Sequence, residues 1–109
     1  MNFEALATQA GRAETLLKAI ANRHRLMVLC DLHQGERSVS ALQEKVGLSQ
    51  SSLSQHLAKL RSEGFVSTRR DAQTIYYSLS SPEVTRVIAT LHDLYCSDLC
   101  HSPEKGPTP

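Results

Sequence analysis

The chain has 109 residues, 40% hydrophobic and 21% charged, with no tryptophan, three tyrosines and two phenylalanines. That size and balance describe one globular domain with a core of Leu, Val, Ile and Ala. The formal net charge of +1 announces no nucleic-acid partner by itself. No stretch approaches the eighteen apolar residues of a membrane span and no basic-then-apolar leader opens the chain, so a cytoplasmic protein without membrane contact is expected; its three cysteines make no disulfide framework.

In chain order, Phe3, Leu6, Ala10, Ala13, Leu17 and Ile20 recur in steps of three and four, the apolar stripe of a first helix. Asn22-Arg23-His24 interrupts it, and a second helix follows through Leu26, Leu29, Cys30 and Leu32 until Gly35 offers a stop. Ser38 caps a short third helix, with Val39, Leu42 and Val46 inward and Gly47 at its end. Ser49 is the N-cap of a fourth, where Leu48 and Leu53 occupy staple positions, Leu53, Leu57 and Leu60 share one face, and Gly64 is the exit. Beyond Gly64 the helical period gives way to β-branched alternation in 66–70 and 74–79, two strands of a hairpin around Asp71-Ala72-Gln73. Ser80-Ser81-Pro82-Glu83 then opens a last helix with Val84, Val87, Ile88, Leu91, Leu94 and Tyr95 inward, fraying after Cys100. The domain is drawn as residues 1–101, and the proline-containing tail 102–109 is expected to be disordered.

The third and fourth helices, separated by Gly47-Leu48-Ser49, have the form of a helix-turn-helix. Gln55 can offer paired hydrogen bonds to adenine, and Gln50, Ser51, Ser52, Ser54 and His56 share its helix, with serines small enough to let it approach base edges. Positive charge gathers at Lys59, Arg61, Arg69 and Arg70, against Glu63 and Asp71, where phosphates could be neutralised. Taken singly, a Ser/Gln face can be merely solvated and two arginines on a hairpin merely polar. Their conjunction with a helix-turn-helix favours a DNA reader. No nucleophile–base pair, Gly-rich phosphate loop or metalloprotease motif accompanies them, so no enzyme is expected.

The run Ser49-Gln50-Ser51-Ser52-Leu53-Ser54-Gln55-His56-Leu57, then Leu60-Arg61-Ser62-Glu63-Gly64, Arg69-Arg70 and Ile75-Tyr76-Tyr77, resembles the ArsR/SmtB family of winged-helix repressors from about Leu16 to Cys96. The resemblance implies a mainly α fold with a β-hairpin wing, a winged helix-turn-helix of four helices, two strands and a fifth helix. It also implies a homodimer through the first and last helices that reads a near-palindromic double-stranded DNA operator. The metal sites of that family are not matched. Ser38 and Ser40 stand where arsenic- and cadmium-type sensors carry a Cys-x-Cys pair, and Ser81, Glu83, Leu94 and Ser97 stand at the zinc-type positions. No metal or other cofactor is therefore expected.

Cys30 and Cys96 instead resemble the paired cysteines of the BigR/SqrR/HlyU branch of reactive-sulfur and redox sensors. What the resemblance implies is a bridge between them, a disulfide or one with extra sulfur atoms, formed by reactive sulfur species or oxidant as inducer and releasing the DNA. His33 and His92 lie one helical turn from Cys30 and Cys96 respectively, where a protonated imidazole would favour thiolate. Read without the family, Cys30 beside Leu26 and Leu29 suits packing. Alternatives remain open: an arsenite- or metal-responsive repressor using Cys96, Cys100 and also Cys30, a zinc site of Cys30, His33, His92 and Cys96, and a thiol- or metal-handling protein that never touches DNA.

Overall fold

Asn2 caps the first helix, its side-chain oxygen accepting from the backbone N–H groups of Glu4 and Ala5, so that α1 runs over Phe3–Ile20 in the computed structural model, which describes residues 2–96. Asn22 repeats the device for α2 (Arg23–His33), accepting from His24 and Arg25. The segment that interrupts the stripe is thus itself a helix start. A two-residue strand, β1 (Arg37–Ser38), leads into α3 (Val39–Val46), and Gly47 ends that helix in the left-handed region at φ 77°. Ser49 caps α4 (Gln50–Ser62) by accepting from Ser52 N–H, while Leu53 is buried below and Leu48 packs against the core.

Strands β2 (Val66–Asp71) and β3 (Thr74–Leu79) pair antiparallel from Val66 opposite Leu79 to Asp71 opposite Thr74. The expected turn contracts to the two residues Ala72 and Gln73, with Ala72 at φ 57°, a backbone position that normally calls for glycine. Among the described residues the sheet is three-stranded, in the order β1-β3-β2, because Arg37 and Ser38 pair with Tyr77 and Tyr76. The hairpin expected from sequence therefore gains a short third strand. Ser81 caps α5 (Pro82–Leu91), which continues as a π-helical turn over His92–Cys96. Cys100 and the tail assigned to 102–109 lie outside the described residues.

One core, with Leu29, Leu42, Leu53, Leu57, Leu60, Val84 and Ile88 fully buried, joins α2, α3, α4 and α5 over the sheet. Asp31 on α2 ties this body together, accepting from Arg37 at 3.2 Å and Lys45 at 3.1 Å. Two expectations of burial need correction. Of the α1 stripe only Ile20 is buried, while Phe3, Leu6 and Leu17 are exposed; of the last helix, Leu94 and Tyr95, expected inward, are 67% and 73% exposed. Periodicity identified the apolar side of each helix, but within one chain nothing covers these positions. The wider π turn after Leu91 also shifts the phase of the residues that follow it.

Candidate nucleic-acid interface

The buried Leu53, Leu57 and Leu60 fix the rotation of α4 and so decide where its polar residues point. Ser51 and Gln55, one turn apart, stand exposed on the outer face, with Lys59 one turn further, 3.4 Å from Glu63. Gln50, Ser54 and Arg61 lie along one flank and line a groove of about 860 Å³ closed by Ser40 and Gln43 of α3 and by Gln73, Thr74, Ile75 and Tyr77 of the wing. A polar, open concavity thus runs from the third helix across the fourth to the hairpin.

The other flank points inward. Ser52 and His56 are half-buried on the side of α2, where the His56 ring lies 5.8 Å from that of His24 and its Nδ1 accepts from Arg25 Nη1 at 3.4 Å. A guanidinium can only donate, so the contact requires Nδ1 unprotonated. The His56 pKa is accordingly lowered, first by burial, then by the charge of Arg25 and by His24. His56, grouped by sequence with the base-reading residues, is therefore separated from them by packing. The same Arg25 also donates through Nε to the carbonyl of Ala19 and through Nη2 to that of Lys18 at 3.4 Å. One side chain fastens the end of α1 to the inner flank of α4, a link that sequence spacing did not indicate.

The two wing arginines also separate. Arg69 donates through Nε to Glu36 at 3.0 Å and through Nη2 at 2.8 Å, and its guanidinium lies 4.5 Å from the centre of the Tyr76 ring. The hydrogen bonds from Arg69 hold the Glu36 carboxyl below its usual range. Arg70, opposite Ile75 in the ladder, is exposed near the hairpin tip.

Cys30 lies on α2 in a second, mostly apolar groove of about 820 Å³, with Leu26, Met27 and Val46 beside it and Leu91 and Tyr95 across from it. His33 and His92 approach to 5.9 Å between the same two helices, His92 buried and 3.5 Å from Gln34 Nε2. Cys96 ends the described segment. Among the described residues no cluster of three or more His, Cys, Asp and Glu could hold a metal ion, and no helix is long and apolar enough to cross a membrane.

Helix, turn, exposed polar helix and a sheet folded beside it define a winged helix-turn-helix protein. The description of bacterial regulatory proteins of the arsR family matches residues 22–68. The transcriptional activator HlyU of Vibrio cholerae is 51% identical over 96 residues, spanning 88% of this chain and 89% of that protein. The solved structure of reduced HlyU from the same organism superposes with a TM-score of 0.83 at 50% identity, covering 85% of this chain and 98% of that one. The transcriptional repressor BigR from Xylella fastidiosa gives 0.83 at 33%, covering 93% and 100%. A homodimeric winged helix-turn-helix domain from Mycobacterium bovis gives 0.71 at 33%, covering 81% and 82%. The chain belongs to the arsR family of bacterial regulatory proteins and is a transcriptional regulator rather than an enzyme.

Proposed function

We propose that the protein is a homodimeric, sequence-specific transcriptional repressor that leaves its operator when Cys30 and Cys96 are linked by reactive sulfur species or oxidant. The observation that carries the DNA-reading part is the exposed arc of Gln50, Ser51, Ser54, Gln55, Lys59 and Arg61 on a helix whose opposite side is locked into the core. Gln55 offers base-edge hydrogen bonds, the serines allow close approach, and Lys59, Arg61 and Arg70 supply phosphate neutralisation. Dimerisation is supported by Phe3, Leu6, Leu17, Leu94 and Tyr95, apolar side chains on the first and last helices left open in a single chain, and by the homodimeric relative. A two-fold pair would set two copies of α4 about one DNA turn apart.

Cysteine sensing is supported by placement. Cys30 shares its groove with Tyr95, the residue preceding Cys96, so a bridge would tie α2 to the end of the helix proposed to form the dimer contact. In a direct disulfide the two thiols lose two electrons and two protons to the oxidant; a persulfide donor inserts sulfur and spans a longer gap. Coupling of about 1–3 kcal/mol would change operator affinity roughly 5- to 150-fold. The test is a mobility shift on the DNA upstream of the protein's own gene, with and without persulfide donor, peroxide, arsenite and zinc, for the parent chain, Cys30→Ser and Cys96→Ser. Persulfide or peroxide should release the parent and leave both variants bound. Normal release of both variants removes cysteine bridging, and release by arsenite or zinc alone supports the soft-ion alternative.

A further inference from the structure

We infer that Glu36 and Arg69 form a latch that positions the wing, and that of the two adjacent wing arginines only Arg70 neutralises a DNA phosphate; the inference rests on the DNA-reading proposal above. Side chains directly opposite one another in a ladder share a face of the sheet. Arg70 therefore shares a face with Ile75, and Thr68 with Tyr77 and Arg37, whereas Arg69 shares the other face with Tyr76 and Ser38. Ile75 and Tyr77 line the groove beside α4, so the face that carries Arg70 is the one turned to the reading helix. Arg69 belongs to the back of the wing.

On that back face Arg69 is already engaged. Glu36, immediately before β1, meets the guanidinium with both carboxylate oxygens, at 2.8 and 3.0 Å, and the Tyr76 ring lies between the two outer strands. The sheet order is β1-β3-β2, so the three residues span all its strands. β1 itself contributes only two residues to the ladder. A planar two-point contact fixes orientation as well as distance, and here it holds β2, and with it Arg70, at a set angle to α4. A phosphate reaching Arg69 would have to displace a carboxylate that already satisfies two of its donors.

The experiment measures operator affinity between 50 and 200 mM KCl for the parent dimer, Glu36→Gln, Arg69→Gln, the double variant, Arg70→Gln and the charge swap Glu36→Arg with Arg69→Glu. The latch predicts that Glu36→Gln and Arg69→Gln each weaken binding about two- to fivefold, the range of an exposed ion pair. It further predicts that the double variant is no worse than either single one, that the swap recovers part of the loss, and that the slope of log affinity against log salt stays at the parent value. Arg70→Gln alone should flatten that slope, by about 1.8 for two lost contacts per dimer. In the free protein, amide exchange around Tyr76 should quicken in Glu36→Gln and not in Arg70→Gln. The inference is overturned if Arg69→Gln flattens the slope like Arg70→Gln while Glu36→Gln tightens binding, because Glu36 would then be a competitor for phosphate. Failure of the parent protein to bind any duplex overturns both this inference and the DNA-reading proposal, whereas binding with a flattened slope in Arg69→Gln overturns this one alone.

Discussion

Substituting Leu17 by alanine tests the dimer at the point where the single chain is least complete. Leu17 lies on the α1 stripe and is 55% exposed, and alanine keeps helix propensity high, so the change isolates burial. A fully covered leucine contributes about 1.5–3 kcal/mol, so covering the open half of Leu17 accounts for about 1 kcal/mol per protomer. Two-fold symmetry makes that about 2 kcal/mol per dimer, roughly a 30-fold rise in the dimer Kd. Sedimentation velocity across a concentration series reads this directly, with Leu94→Ala as a second probe at 67% exposure in case either residue lies at the rim. The reasoning is refuted if both variants dimerise as tightly as the parent, or if the parent is monomeric at tens of micromolar.

Gln55→Ala should lower the ratio of operator to random-sequence affinity by about fivefold or more per half-site, measured by anisotropy on two duplexes; an unchanged ratio assigns the specificity elsewhere. Ser49→Ala removes the cap at Ser52 N–H and should cost about 1 kcal/mol in urea unfolding, and a loss of only a few tenths would show the cap to be replaceable. His56, whose folded pKa lies below the unfolded value of 6.5, takes up its proton more readily when unfolded. Stability is then complete above that pH and declines as pH falls through the folded value. Thermal melts from pH 7.5 to 5 should show this decline and a flatter profile for His56→Asn, while parallel profiles would remove His56 as the cause.

Much of the fold was legible because its punctuation is local. Ser38, Ser49 and Ser81 are caps where the sequence reading places them, and Gly47 and Gly64 take the left-handed exits expected of them. Strand β1 was not legible, since two residues carry no period and its partners Tyr76 and Tyr77 lie far along the chain. Leu94 and Tyr95 show a different gap: apolar spacing reports which side of a helix seeks cover, not whether the cover comes from the same molecule. Within the reading helix the outer positions of Ser51 and Gln55 followed from Leu53, Leu57 and Leu60, but the inward turn of His56 depended on Arg25, and the engagement of Arg69 on Glu36. Contacts across 31 and 33 positions of sequence leave no periodic trace.

The nearly bare first helix carries a quantitative consequence. Eighteen residues long and buried only at Ala19 and Ile20, α1 projects about 27 Å with little tertiary support, and a helix that length is marginal in water on its own. Its folding and its covering by a second copy then become a single event. Cellular abundance would decide whether the arm exists at all, and promoter occupancy would climb more steeply than in proportion to copy number. A chain with a self-sufficient arm would lack that threshold.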